Sequence, residues 1–467
     1  MRLWHAGDLV ASLELDVNQW AEEQFGECEL GDARRTQRVV KLAVQAATFP
    51  DGSTPAQTES WGDCKAAYRF FDQDDVSFEA ICEPHWRSTR SRTGGTWLLI
   101  GDTTQIEFGI FREVSGLGPT GDGGGRGYFL HSELMVAADS EEIVGLAGAE
   151  IFHRSSPARE PTVRRRKRAR ESEVWGRVID RIGPPLKQAR FIHVFDAGAD
   201  NYEVFCHLQM QTCGWVIRAG QTHRKIQDSQ GGRWTIRSLL AEQAVCGEYE
   251  LLVRARWNQP ARAARLEVRI ASLVIPGPEC KSPFLKQCGI KEIPMWVVEA
   301  REVASPAGVE PLHWVLLTSE PVMSFEQAWT VIGWYEKRPL VEEYHKCLKT
   351  GCRIEQRQYK TSSRLQRVTG LLSIVAVRLL QLKSAARTNP DRPVEQAVPA
   401  AWIRMLRHLK GGLPLATVGK FFRALAGLGG FLGRKNDGEP GWMTIWRGLE
   451  KLTLCLRGQG VLRLKCG

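Results

Sequence analysis

The segment from Tyr335 to Gln358 constrains this chain more than any other, because its polar and apolar residues separate onto two sides of one helix. At about 100° per residue, five polar side chains fall within roughly 80° of one another. They are Tyr335, Arg338, Glu342, Lys346 and Lys349. The apolar positions on the other side are Leu340, Val341, Tyr344, Cys347 and Leu348. The spacing predicts an amphipathic helix whose polar stripe holds one carboxylate among donors suited to phosphate groups.

This stripe has two interpretations. A charged stripe opposite an apolar one is usually a solvated helix face, and charge pairs four residues apart support helices anyway. A carboxylate flanked by phosphate-type donors is also what an enzyme needs to hold a metal ion against a nucleic-acid backbone. The helix taken alone favours the solvated face.

Two further carboxylates follow short apolar runs that are typical of buried strands. Asp102 comes after Thr96–Gly101, and Asp196 comes after Arg190–Phe195. Each pattern alone is weak, because turns from strand to helix favour aspartate as a cap. We interpret Asp200 as such a cap for the helical segment that follows it.

The composition is that of a globular chain with a basic balance. Its 467 residues carry a net charge of +10, which favours a polyanionic partner, most often DNA. We expect no membrane-spanning helix, since a run of about 18 apolar residues is missing, and no signal peptide, so we expect a cytoplasmic protein associated with the nucleoid. The twelve cysteines form no Cys-x2-Cys pair, which favours reduced thiols over disulfides or a zinc site.

The pattern of elements changes along the chain. Residues 1–90 read as helical, with helices predicted from Ala33 to about Ala47 and over Cys64–Phe71. Residues 91–390 alternate strands and helices, with a β-rich stretch at about 221–320 that includes a strand predicted over Trp234–Leu239. Residues 391–467 read as helical again. The fold class is therefore α/β with helical regions at both ends.

The spacing Tyr-x2-Arg-x3-Glu-x6-Lys, met here as Tyr335, Arg338, Glu342 and Lys349, resembles the YREK signature of bacterial DDE transposases of the Tn5 and IS-four type. The resemblance extends to Trp314–Pro321 and Lys349–Gly351, while Leu30–Thr36 and Ala66–Phe70 resemble the family's N-terminal DNA-binding region. It implies an RNase H-like catalytic core interrupted by a β-rich insertion. It also implies an N-terminal DNA-binding domain at 1–90 and a C-terminal dimerisation region at 391–467.

The resemblance further implies a cut-and-paste DNA transposase. Asp102, Asp196 and Glu342 would bind two Mg²⁺ ions, for which Mn²⁺ can substitute. Water would nick one strand at the transposon end, the freed 3′-OH would form a hairpin, water would reopen it, and the 3′-OH would join target DNA. The partners implied are the transposon ends, target DNA and a second copy of the chain in a synaptic complex.

The DNA contacts that the resemblance implies fall into three groups. Phosphate contacts would come from Tyr335, Arg338, Lys346 and Lys349, and Trp314 would hold an unstacked base. Arg218 resembles a DNA contact more loosely. In the N-terminal region the basic stripe of Arg34 and Arg38 would bind DNA, with a solvated helix face as the alternative.

Several points remain open at the level of sequence. The family commonly has tryptophan where this chain has Pro339, so the helix is expected to begin or kink there. The basic run Arg164–Arg170 fits either a solvated loop or a phosphate contact. His131 and His345 are interpreted as structural or DNA-contacting rather than catalytic. Two alternative functions are a non-enzymatic DNA-binding derivative and an RNase H-like nuclease that cuts structured DNA without joining it.

Overall fold

The computed structural model describes residues 17–465, apart from 110–111, 122–123, 155–172, 254–260, 280–281, 307, 389, 397 and 435–436. The N-terminal part is helical, as predicted. Its helices are α1 (Val17–Phe25), α2 (Ala33–Thr48), α3 (Thr54–Gln57), α4 (Trp61–Phe70) and α5 (Phe78–Arg90). The Asp32 side chain caps α2 by accepting from the Arg34 backbone N–H, and Ser60 caps α4 in the same way through Asp63.

The central sheet begins with five strands, and the first and last of them contain the apolar runs that precede Asp102 and Asp196. They are β1 (Thr96–Glu107), β2 (Gly118–Thr120), β3 (Gly125–Ala137), β4 (Ile143–Phe152) and β5 (Arg190–Phe195). After β5 come α7 (Tyr202–Met210) and β6 (Gly214–Arg218), while α6 (Glu173–Ile182) precedes β5. The strand order β4-β3-β1-β5-β6 has β3 antiparallel and β5 parallel to the central strand β1. This arrangement is consistent with an RNase H-like core.

Helices cover both faces of this sheet because alternate residues of β1 point to opposite sides. Leu98 and Ile100 lie in one apolar cluster with α5 and with the later helix over Ser362–Thr388. Trp97 and Leu99 lie in a second cluster with α6 and α7. Burial on both faces explains why the sequence of β1 is a continuous apolar run.

The β-rich insertion continues the same sheet. Its elements are β7 (Lys225–Gln227), β8 (Arg233–Thr235), α8 (Ile236–Ala241), β9 (Gly247–Val253), β10 (Arg262–Pro276), α9 (Pro283–Cys288), β11 (Glu292–Val303) and β12 (His313–Thr318). Strand β12 pairs with β6 and joins the insertion to the core. The strand predicted over Trp234–Leu239 is wrong: Thr235 caps a helix there, through a reciprocal hydrogen-bond pair with Ser238.

The chain then turns helical to its end. Helices α10 (Phe325–Glu336) and α11 (Pro339–Lys346) lead into a π turn over Cys347–Gly351, followed by α12 (Ser362–Thr388). The last helices are α13 (Ala400–Leu409), α14 (Val418–Leu428) and α15 (Trp442–Lys465). The stretch Ser362–Ser384 is long and apolar enough to cross a bilayer by length and composition, but 83% of its most apolar window is buried inside the protein. The ten cysteines that the structure describes are free thiols.

Candidate active site

Asp102 lies inside β1 rather than at its end, which corrects the sequence interpretation. Strand β1 continues to Glu107 because it stays paired with β3 over that length. Its parallel partner β5, by contrast, pairs only as far as Ile100. Asp102 therefore lies where the parallel part of the sheet opens, and its Oδ1 accepts a hydrogen bond of 2.8 Å from the Thr103 backbone N–H.

Asp196 follows directly after β5 and also caps the short turn Ala197–Ala199, where its Oδ1 accepts from the Gly198 N–H at 2.9 Å. The prediction that Asp200 caps the next helix is wrong, because Asn201 caps α7. Asp200 is instead buried, and it forms an ion pair with Arg224 at 2.6 Å. The two aspartates therefore differ: the Oδ2 of Asp196 faces the site, whereas the buried carboxylate of Asp200 is paired with Arg224.

Glu342 lies on α11, and the break that Pro339 predicts is present. Helix α10 ends at Glu336, Lys337 and Arg338 form a turn, and α11 begins at Pro339. The signature therefore lies on two helices rather than one. The apolar side that the sequence predicts is largely buried, including Val341 and Tyr344.

Arg338 brings the three carboxylates together. Its Nη1 lies 2.6 Å from Glu342 Oε1, and its Nη2 lies 3.4 Å from Asp196 Oδ2 and 3.6 Å from Asp102 Oδ2. The guanidinium thus stands among three side chains that come from β1, the end of β5 and α11. Carboxylates from distant parts of the sequence converge here on one shared cation.

The donor set suits a divalent ion, although its present arrangement does not ligate one. Carboxylate oxygens are the ligands that Mg²⁺ prefers, and these three already surround a positive charge. Within the described residues, no three His, Cys, Asp or Glu side chains lie close enough together to hold a metal ion. The residues that would hold such an ion are Asp102, Asp196 and Glu342, and the Arg338 guanidinium stands between them.

The electrostatics of the site follow from its partial burial. Burial raises the pKa of the Asp102 carboxyl to about 6, although the Arg338 guanidinium acts in the opposite direction. For Arg338 itself, burial would lower the pKa, but the surrounding carboxylates outweigh it and raise the pKa above its usual value. The charged groups of the cluster are therefore partly exposed to solvent, so the carboxylates can exchange one cation for another.

A second charged cluster, which the sequence analysis missed, lies directly behind the first. Glu133 on β3 pairs in register with Gly101, and its Oε2 lies 2.7 Å from His193 Nδ1 on β5. The pair spans β1, and both side chains are fully buried. Burial alone would lower the pKa of His193, but the Glu133 carboxylate, together with Cys213, outweighs burial and raises that pKa, while burial raises the pKa of Glu133 as well. The signal in the sequence was a lone glutamate in the apolar run Tyr128–Val136.

Burial favours the structural interpretation of His131 and His345. Burial lowers the pKa of each to about 3, so both are neutral at physiological pH. The His131 Nδ1 lies 2.9 Å from Thr103 Oγ1, next to the backbone N–H that binds Asp102. His131 therefore supports the strand that carries the first carboxylate.

Three of the predicted DNA contacts lie beside the carboxylates. Tyr335 is at the end of α10 and is largely buried, and its ring meets that of Trp314 edge-on with centroids 6.2 Å apart. Trp314 is half-buried on β12. Arg218 is exposed at the end of β6, where its Nη2 lies 3.4 Å from the His313 carbonyl oxygen. Burial raises the pKa of Tyr335, while Arg218 and Arg338 act against that rise.

The two lysines of the predicted stripe differ. Lys346 is exposed on the last turn of α11. Lys349 lies in the π turn, so it does not continue the α-helical stripe, and its Nζ is 3.5 Å from Glu355 Oε1. π turns often occur at functional positions of helices.

The basic residues predicted on α2 are already in ion pairs. Arg34 is highly exposed and contacts Asp32 at 2.8 Å. Arg38 contacts Asp63, a largely buried carboxylate of α4, at 2.6 Å. Arg38 therefore links two helices, whereas Arg34 is open to solvent. The run Arg164–Arg170 lies outside the described residues.

Comparison with known families identifies the two ends of the chain. Residues 17–76 match a family described as transposase DNA-binding, and residues 374–465 match the transposase Tn5 dimerisation domain. Both ends are helical, and the sheet with its three carboxylates lies between them. These two matches support a transposase of the Tn5 type, with DNA and a second copy of the chain as partners.

Proposed function

We propose that the protein cuts its element out of DNA and inserts it elsewhere, with Asp102, Asp196 and Glu342 as the catalytic carboxylates. The observation that carries the proposal is their convergence on Arg338, at 2.6 to 3.6 Å from its guanidinium nitrogens. These residues lie far apart in sequence, and a structural ion pair would need only one of them.

The three carboxylates would hold two Mg²⁺ ions, with Mn²⁺ as a substitute. Such a pair of ions activates an attacking oxygen and stabilises a leaving one in an in-line displacement. Water or a 3′-OH is the attacking group in the four proposed steps: nicking, hairpin formation, hairpin opening and joining to target DNA.

The side chains around the carboxylates would bind and orient the DNA. Arg338, Lys346 and Lys349 would bind phosphates of the transposon end. Trp314 would stack on a base displaced during hairpin formation, for which aromatic stacking returns about 1–3 kcal/mol per base. Tyr335 packs against Trp314 and would keep its ring in place. Arg218 would add a phosphate contact beside them.

The flanking domains would bring two ends together. The N-terminal domain would bind the terminal repeat, with Arg34 and Arg38 on phosphates, and the C-terminal domain would pair two subunits in a synaptic complex. Such a protein would act on the nucleoid in the cytoplasm.

Excision from a plasmid carrying the gene's own flanking inverted repeats tests the proposal. Asp102→Asn, Asp196→Asn and Glu342→Gln keep the size of each side chain and remove its charge. We expect each to lower Mg²⁺-dependent excision by on the order of 10³-fold or more, while end-specific DNA binding stays at the wild-type level. The matched control is Glu343→Gln, which removes the next carboxylate, held by Lys383 at 2.7 Å.

The products separate the proposal from its alternatives. Joined products from pre-cut ends and a target plasmid support a transposase. Cleavage of structured DNA without joining would indicate a nuclease. End binding by the wild-type protein without cleavage would indicate a non-enzymatic DNA-binding derivative.

A further inference from the structure

The positive charge at the centre of the three carboxylates belongs to the chain itself. Arg338 Nη2 lies between Asp102 Oδ2 and Asp196 Oδ2, at 3.6 and 3.4 Å. A magnesium ion bound by either oxygen would lie about 2.0–2.1 Å from it. A guanidinium and a divalent ion therefore compete for the same space and the same negative charge.

The guanidinium is held unevenly. Its contact with Glu342, at 2.6 Å, is as short as a strong charge-assisted hydrogen bond. Its contacts with the two aspartates are longer than the roughly 2.7–2.9 Å of such bonds. The buried Nε of Arg338 finds no hydrogen-bond partner among the described residues. The arginine is therefore anchored at Glu342 and loosely held at the aspartates.

The position of Arg338 lets its side chain move without a change in the fold. The residue lies in the turn between α10 and α11, and its backbone is already helical. Glu342 lies one helical turn further on, so the guanidinium can stay near it while leaving the aspartates. The side chain is 17% exposed, and water reaches the aspartates as well, at 19% for Asp102 and 37% for Asp196.

We infer that Arg338 neutralises the aspartate pair in the protein free of metal and DNA, and that a DNA phosphate draws its guanidinium away as divalent ions bind. This inference rests on the proposed function. DNA binding then strengthens metal binding, because the phosphate removes the guanidinium that competes with the metal ion. Metal binding strengthens DNA binding by the same factor, since such coupling is reciprocal. A protein without DNA then holds divalent ions weakly, which limits cleavage away from the transposon end.

Mn²⁺ binding to the full-length protein tests this exchange without relying on activity. Free Mn²⁺ is followed by its paramagnetic resonance signal, with and without a pre-cut duplex that carries the terminal repeat. We expect the duplex to tighten Mn²⁺ binding to the wild type by about 5–150-fold, the usual range of such coupling. Arg338→Gln is expected to bind Mn²⁺ tighter by a similar factor without DNA and to gain little when DNA is added.

Lys337→Gln is the matched control, since it removes a positive charge one residue away. The Lys337 Nζ donates to the Ala138 carbonyl oxygen at 2.5 Å and lies 3.9 Å from Glu141, so the variant should bind Mn²⁺ as the wild type does. Arg338→Lys provides a second test if the glutamine variant fails to fold. A shorter cation without the planar fork should tighten Mn²⁺ binding partway.

The outcomes distinguish the exchange from the proposed function. Equal Mn²⁺ affinities for wild type and both Arg338 variants, with saturable binding that Asp196→Asn abolishes, would overturn the exchange and leave the proposed carboxylate site standing. Failure of the wild type to bind Mn²⁺ at all, even with DNA, would remove the proposed site and the exchange together.

Discussion

Two charged clusters lie on neighbouring positions of one sheet, and they differ in how far water reaches them. The pair of Glu133 and His193 is fully buried behind β1. The cluster of Asp102, Asp196 and Glu342 around Arg338 lies just beyond it, with carboxylate side chains 19 to 45% exposed. A pair that water does not reach keeps its partner, which suits a structural role. An exposed cluster can change partners, which is what binding and catalysis require.

Breaking the buried pair should have the largest effect on stability. Glu133→Leu removes the partner of a fully buried imidazole, and breaking a buried pair in this way typically costs about 3–5 kcal/mol. We expect the double change Glu133→Leu with His193→Leu to recover most of that loss, because apolar pairs of similar volume often replace buried ion pairs well. Denaturant unfolding of the single and double variants checks this. If Glu133→Leu were as stable as the wild type, the buried pair would not contribute to stability as expected.

Acid should destabilise the protein through its buried neutral histidines. Burial lowers the pKa of His85, His131 and His345 to about 3, whereas unfolded histidine titrates near 6.5. As pH falls below about 6.5, the unfolded chain takes up protons that the folded chain cannot. Each histidine should therefore remove up to about 1.4 kcal/mol of stability per pH unit.

Denaturant unfolding at pH 7.5, 6.5 and 5.5 measures this slope. His85 Nε2 accepts a hydrogen bond from the Leu146 backbone N–H at 3.0 Å, which a protonated ring cannot do. His85→Gln should reduce the slope by about one proton, while His223→Gln, at an exposed position, should leave it unchanged. Equal slopes for all three proteins would show that His85 is not neutral in the folded protein.

The packing of the Phe195 ring and the Glu133 side chain against β1 should make Gly101 intolerant of a side chain. A Cβ at Gly101 would lie 2.3 Å from the Phe195 ring and 3.3 Å from Glu133 Cγ. We expect Gly101→Ala to lower the free energy of unfolding by about 1–3 kcal/mol, as overpacking does. Gly333→Ala is the control, because no described atom beyond its chain neighbours and its own helix backbone lies within 4 Å of its Cβ position, and alanine favours the helix. A harmless Gly101→Ala would show that the two strands have room to spread.

The smallest effect on stability should come from the exposed pair on α2. Arg34→Gln removes a highly exposed contact with Asp32 and should leave the free energy of unfolding close to that of the wild type. If Arg34 binds a phosphate, the same change should weaken binding of the terminal repeat and lower the salt slope by about 0.9. An unchanged slope, measured by titration at several salt concentrations, would place Arg34 outside the DNA interface.

The elements around the carboxylates could largely be predicted from sequence, because they depend on local patterns. Apolar runs predicted β1 and β5, and Pro339 predicted where α11 begins. The capping role of Asp200 could not be separated from that of Asn201, since both residue types cap helices and only packing against Arg224 distinguishes them.

The arrangement of the site depended on tertiary contacts, and the sequence predicted less of it. An ideal helix places Arg338 beside Glu342, but its contacts with Asp102 and Asp196 require the packing of α11 against the sheet. Tyr335 was predicted on the same polar stripe. It is instead largely buried, with its ring against Trp314, because α10 ends at Glu336 and a separate helix begins at Pro339.

Because β12 pairs with β6, the insertion belongs to the same continuous β-sheet as Asp102 and the end of β5. Neighbouring strands lie about 4.8 Å apart, so Trp314 on β12 is carried only two strands, or about 10 Å, from β5 and Asp196. A base stacked on Trp314 and a phosphate bound near Asp196 would thus be held by the same rigid sheet. A sharply bent DNA strand between them could not relax through a hinge motion of the protein.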